Sequence, residues 1–98
     1  MGPSIVHKSE LSFPLELNIR SRVNGELRQN SNMRLFLADI PHLISELSHG
    51  MTLVPGDIIA TGTPAGVGMG FEPPRWLRSG DTVECEIENL GVLRTTIR

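Results

Sequence analysis

The sequence predicts a β-rich α+β fold with one short helix, and three patterns carry that prediction. Leu15, Leu17, Ile19, Ser21 and Val23 alternate with Glu16, Asn18, Arg20 and Arg22 ahead of an Asn24-Gly25 dipeptide. Thr82 to Glu88, "TVECEIE", alternates again near the C-terminus. Between them Ile40, Leu43, Ile44 and Leu47 recur at helical spacing. A period of two gives a strand with one apolar face, and the i, i+3, i+4, i+7 spacing gives a helix with one apolar stripe.

Asn24-Gly25 tolerates positive φ at both central positions of a type I′ turn, so Glu26 to Asn30 is expected to return as the second arm of a hairpin. Asp39 suits the N-cap of the helix and Pro41 its first turn, with Gly50 placed to end it in a left-handed conformation. The stripe reads as a core-packing face. Two similar segments follow, "LVPGDII" (Leu53 to Ile59) and "LRSGDTV" (Leu77 to Val83), each with a Gly-Asp turn leading into an apolar strand. Thr63 to Ser79 forms an irregular loop with Pro64, Pro73 and Pro74. Asn89-Leu90-Gly91 turns the chain into a last strand, Val92 to Ile97, for about five or six strands with mostly local antiparallel connections.

Composition narrows the function. A chain of 98 residues buries only about 60 to 65% of its unfolded surface, so its core is thin and a partner or missing half is plausible. A net charge of -2, with nine scattered Lys and Arg, gives no footprint for nucleic acid. No apolar run reaches the roughly 20 residues that span a bilayer, and the start lacks the pattern of a signal peptide, so a cytoplasmic location is expected. The single cysteine, Cys85, excludes a disulfide scaffold and reads as a half-buried thiol inside a strand.

Few side chains suggest chemistry. Gly66, Gly68 and Gly70 give GxGxG rather than GxGxxG, and Pro73-Pro74 blocks the helix that a nucleotide cradle requires. Glu84, Glu86 and Glu88 share one strand face, a pattern open to a divalent cation but commoner as the solvated face of an edge strand. His42 and His49 lie two helical turns apart and His7 is remote, which makes no close zinc pair. No GxSxG elbow occurs. The turn Thr61-Gly62-Thr63-Pro64 can offer a hydroxyl and unhindered N–H groups to a carboxylate or an oxyanion, or can simply need Gly62 for its backbone angle.

The segments "VNGELRQNSN", "LISELSHGMTLVPGDIIATGTPAGVGMG" and "LRSGDTVECEIENLGVL" resemble the C-terminal part of the fumarylacetoacetate hydrolase family. The likeness is closest to its acylpyruvate hydrolase, oxaloacetate decarboxylase and hydroxyhepta-dienedioate isomerase members. It implies a partial mixed β-roll, a single partial domain over residues 1–98, and dimerisation. It also implies an enzyme that cleaves or rearranges C–C bonds of 2-oxo acids with Mg²⁺ or Mn²⁺. By that likeness the Thr63 hydroxyl meets the substrate carboxylate, while Gly62 and Thr61 shape the same wall. The family's metal ligands and proton-transfer groups precede the matched region, so no catalytic residue is assigned and no metal is expected on this segment. Glu84-Cys85-Glu86 imitates the family's Glu-x-Glu in letters only, since it matches a terminal strand. Ser4 stands where the family has a bulky aromatic, and Asn32-Met33 where it has Asn-Thr, departures expected at the walls of the site or its approach.

The resulting expectation is the C-terminal segment of a metal-dependent hydrolase, decarboxylase or isomerase that binds a small 2-oxo acid or dicarboxylate and is not competent alone. The glycines after Thr63 would let substrate approach the backbone. The rival readings are a noncatalytic module that associates through sheet edges, as a homo-oligomer or with another chain, and a simple carboxylate binder.

Overall fold

Asn24 and Gly25 take φ of 51° and 81°, the pair of positive angles that a type I′ turn needs. They fold β1 (Asn18–Val23) onto β2 (Glu26–Asn32). The computed structural model describes residues 1–98. A second hairpin joins β3 (Thr82–Ile87) to β4 (Gly91–Thr96), with Asn89 at φ 66° in its turn. Pairing of β1 with β3 welds the hairpins into one antiparallel sheet of order β2-β1-β3-β4. At the weld the first hairpin's turn is tied to the start of β3: Thr82 N donates to Asn24 Oδ1 at 2.9 Å and Asn24 Nδ2 donates to Asp81 Oδ1 at 2.9 Å.

Register sorts the side chains into two faces. Ile19 pairs with Ile87, Ser21 with Cys85 and Val23 with Val83, and Leu93 of β4 lies opposite Cys85, so the apolar residues share one face. The other face is charged: Arg22 Nη1 stands 2.9 Å from Glu86 Oε2, and Arg94 Nη2 stands 2.7 Å from Glu84 Oε1. Because β3 lies between β1 and β4, its glutamates do not mark an edge strand, as expected from sequence, but sit between flanking arginines.

The helix α1 (Ile40–Gly50) has the expected bounds, with Asp39 capping it through a 2.9 Å bond from His42 N. Its C-terminus differs from the expectation. Gly50 stays helical and the chain leaves through extended Met51, φ −151°, so no left-handed glycine is used. Nor does the apolar stripe pack into a core: no extensive contact joins α1 to the sheet, and Ile44 is exposed. The strand expected after Asp57 is also missing. Val54 N is capped by Asp57 Oδ2 at 2.9 Å, forming the Gly-Asp turn, but the segment that follows pairs with no strand, and Ile58 is 70% exposed.

Four strands and one helix make the β-rich α+β fold read from sequence, yet no residue is fully buried. The accessible surface is 7693 Å², whereas a folded monomer of 10.8 kDa exposes about 5,500 Å². The radius of gyration, 15.3 Å, exceeds the roughly 13 Å of a closed domain of this length. Cys85 illustrates the consequence. It lies within β3 on the apolar face, but it is exposed rather than half-buried, because little covers that face.

Candidate functional site

The 63–79 loop folds back on β2, and glycine makes the approach possible. A Cβ on Gly66 would overlap the carbonyl oxygen of Arg28, and one on Gly68 would overlap that of Arg75. The close approach expected of substrate is therefore made by the protein's own backbone. In β2 the bulge helps: Ser21 faces Gln29 and Arg22 faces Leu27, which leaves Arg28 as the extra residue and bends the strand where the loop arrives. Phe71 then lies within cation–π reach of two guanidinium groups, 5.4 Å from Arg28 and 5.3 Å from Arg75. Arg28 Nε is 3.4 Å from Glu26 Oε1, an ion-pair distance without hydrogen-bond geometry.

This docking leaves a cavity of about 340 Å³. Its floor is Ile19 and Ile87 from the apolar face, one wall is Thr61 to Pro64, and the other runs from Ser31 through Leu37. All three residues singled out from sequence, Thr61, Gly62 and Thr63, therefore share one wall. Of the departures from the family pattern, Asn32 and Met33 line the opposite side of the cavity, whereas Ser4 does not line it and lies beside Leu90, its Oγ 3.5 Å from the Leu90 carbonyl oxygen. Gly62 has φ 91°, and a Cβ added to it would meet nothing within 4 Å, so its glycine serves backbone angle and not close packing. The N–H groups of Thr61, Gly62 and Thr63 make no hydrogen bond within the chain. Such donors on a concave wall suit an anion.

Asn32 is committed to structure. Its Oδ1 accepts from Arg34 N at 2.9 Å, and its Nδ2 donates to Glu16 O at 2.9 Å and to Asn18 Oδ1 at 3.0 Å. Thr63 is held differently: Gln29 Nε2 donates to Thr63 Oγ1 at 2.7 Å and to Pro64 O at 2.8 Å. Sequence reading missed Gln29, because a regular two-residue hairpin would set Arg28 opposite Ser21 and only the bulge brings Gln29 there. A larger cavity of about 610 Å³, whose lining includes Glu16, Arg34 and Asp39, adjoins through Met33, Phe36 and Leu37. It lacks the threonine donors, so the chemistry favours the smaller one.

A divalent cation of the Mg²⁺ kind needs carboxylate oxygens free to coordinate it. Glu84 and Glu86 are held by Arg94 and Arg22, and Glu88 Oε2 accepts from Asn18 N at 2.9 Å. The Arg22 hydrogen bond holds the Glu86 carboxyl below its ordinary range. No three His, Cys, Asp or Glu side chains converge to hold an ion, and His42 and His49 are exposed on α1. These residues do not fit the metal that the resemblance implies.

Comparison with known proteins agrees with this architecture. The family model described as the C-terminal part of fumarylacetoacetate hydrolase matches residues 1–98, and the chain belongs to that family. It is 54% identical over 97 residues to an oxaloacetate tautomerase of Bacillus subtilis, covering 99% of this chain and 32% of the relative. It superposes on a fumarylacetoacetate hydrolase from Exiguobacterium antarcticum with a TM-score of 0.95 and 45% identity, covering 99% of this chain and 35% of that one. A maleylpyruvate hydrolase from Sphingobium sp. SYK-6, solved with manganese(II) and pyruvate, gives a TM-score of 0.86 and 40% identity over 98% of this chain and 34% of that one. The chain thus spans about a third of the length of these relatives. No helix is long and apolar enough to cross a membrane.

Proposed function

We propose that this chain supplies the carboxylate-binding wall of a 2-oxo-acid site in a hydrolase, decarboxylase or isomerase of the family, with the metal ligands coming from polypeptide outside these 98 residues. The observation that carries the reading is the cavity wall itself, which gathers Thr61, Gly62 and Thr63, whose N–H groups have no partner in the chain, around one cavity. Those donors bind the carboxylate and fix the orientation of the 2-oxo group relative to it. Orientation alone does not polarise the carbonyl, so the segment is not competent by itself. The missing core supports this: exposed Leu37, Ile58 and Trp76 are surfaces that the remainder of such an enzyme would cover.

The test is reconstitution. The full 98-residue chain is assembled with the preceding two thirds of the Bacillus subtilis relative, and turnover of oxaloacetate and acetylpyruvate is followed with Mg²⁺ or Mn²⁺ and then with chelator. Chelator-sensitive turnover in the assembly, lowered about tenfold or more by Thr63→Val, is expected. Turnover by the chain alone would overturn the division of labour. The exposed edges β2 and β4 also favour a second reading, association through those edges, which sedimentation of the chain without ligand would test.

A further inference from the structure

We propose that Gln29 is a positioning residue which, with Ser21, turns the Thr63 hydroxyl proton toward the cavity and so favours a ligand that presents an acceptor oxygen there, such as a carboxylate. The proposal rests on the reading of Thr63 given above and adds the residues that set its hydrogen-bond polarity. One atom of the arrangement has an unambiguous role. The carbonyl of Pro64 can only accept, so the Gln29 atom 2.8 Å away must be the amide nitrogen. That assigns the carboxamide orientation from chemistry.

The rest of the chain of bonds follows. With nitrogen toward Pro64, Oε1 of Gln29 faces Ser21 Oγ at 2.8 Å, and Ser21 must donate. The amide nitrogen has two protons and accepts nothing. One proton goes to Pro64 O and the other to Thr63 Oγ1 at 2.7 Å. Thr63 oxygen is therefore an acceptor inside the protein, and its own proton has no acceptor there. The hydroxyl sits on the wall of the 340 Å³ cavity, so that proton is available to a ligand oxygen. A carboxylate, which only accepts, satisfies it. A ligand N–H at this point finds only the oxygen's second lone pair and leaves the Thr63 proton without an acceptor, so an acceptor oxygen is the better partner.

Geometry explains how β2 can do this. Ser21 and Gln29 are direct cross-strand partners on the face that carries Ile19 and Ile87, immediately beside the bulge at Arg28. The bulge and the packing of Gly66 on Arg28 O bring Thr63 and Pro64 within reach of a side chain rooted in the sheet. The threonine is thus set by a strand and not by its own loop.

A double-mutant cycle tests the coupling. Oxalate, a nonreactive mimic, is titrated by calorimetry into the full chain assembled with the preceding part of the Bacillus subtilis relative and loaded with Mn²⁺. Thr63→Val is expected to weaken oxalate roughly 10-fold or more, because it removes a hydrogen bond to a charged acceptor, and Gln29→Met roughly 5-fold or more, because it frees the hydroxyl that makes that bond to rotate or turn its proton away. In the Thr63→Val background, Gln29→Met should then change affinity by less than about 2-fold. Gln29→Glu, acceptor-only when ionised, should weaken oxalate more than Gln29→Met and recover relative to it as pH falls. Additive losses would overturn the relay while leaving Thr63 as the contact. An unchanged affinity in Thr63→Val would overturn the site reading and the relay with it. If Gln29→Met does not assemble, Ser21→Ala reads the same cycle, and an equal loss with and without the Thr63 hydroxyl would again overturn the relay.

Discussion

Arg75 holds both oxygens of Glu26, with Nη1 2.6 Å from Oε1 and Nη2 2.9 Å from Oε2. The pair joins the far end of the glycine loop to the first residue of β2, 49 positions away in sequence. A two-point clamp fixes direction as well as distance. Together with Gln29 at the near end, it holds the loop at both ends of its crossing over β2.

Arg75→Lys keeps the charge but loses the planar fork. The pair is exposed, so the main effect expected is local and not global. Amides between Gly66 and Trp76 should exchange several-fold faster in the assembled protein, with those of β1 and β3 unchanged. Hydrogen exchange read by mass spectrometry checks this, and equal protection of the loop in both proteins would show that the clamp holds nothing.

Two glycines of one run should respond in opposite ways to alanine. Gly66 has φ 107° and no room for a Cβ against Arg28 O, so Gly66→Ala must distort the loop or lift it from β2, costing about 1–3 kcal/mol. At Gly70 the added atom would meet only Val67 Cγ2 at 3.8 Å, ordinary contact. Gly70→Ala should change stability by less than about 0.5 kcal/mol. Urea midpoints of the two assembled variants decide it, and similar midpoints would sink the account of the glycine run.

The contrast between legible and hidden features follows the range of the interactions involved. Asn24-Gly25 and Asp39 act within a turn of themselves, and both behave as their residue types dictate. Thr61 to Thr63 line one cavity wall. The bulge at Arg28 was invisible because nothing in "GELRQN" differs from a regular strand, and with it went Gln29. The missing strand after Asp57 and the unpacked stripe of α1 have another cause. Both patterns are real, but a strand needs a neighbour and a stripe needs a surface, and this chain contains neither for them.

Acid should weaken the assembled protein through identifiable carboxylates. The Asn24 side chain, then the Arg78 backbone N–H, hold Asp81 below its ordinary pKa, Arg75 does so for Glu26, and Arg22 for Glu86. Unfolding returns these groups to about 4 to 4.5, so the unfolded chain binds more protons in this range and stability rises with pH there. The contribution is full above the unfolded values and lost as pH falls through the lowered folded ones. Asp81→Asn should flatten the acid limb of a plot of urea midpoint against pH between about 2 and 6, with little change in its slope near neutrality. A limb as steep as the parent's would exclude Asp81 as a contributor.

Without company the chain should not melt as a closed domain does. Hydrophobic burial is the main force that offsets conformational entropy on folding, and cooperativity requires a core that is lost all at once. Here no residue is fully buried, Leu37 and Ile58 stand in the open, and the exposed area exceeds that of a closed monomer by about 2,000 Å². The isolated 98-residue chain should therefore bind an apolar dye such as ANS strongly and lose its circular dichroism gradually on heating. Adding the preceding two thirds of the Bacillus subtilis relative should remove the dye and produce a single sigmoidal transition, because one partner covers the apolar face of the sheet, the stripe of α1 and the segment around Ile58. Heating scans of the chain alone and with that partner make the comparison. A sharp, concentration-independent melt of the chain alone would mean that these surfaces close on one another in solution, and the proposal that the chain is one wall of a larger site would fail.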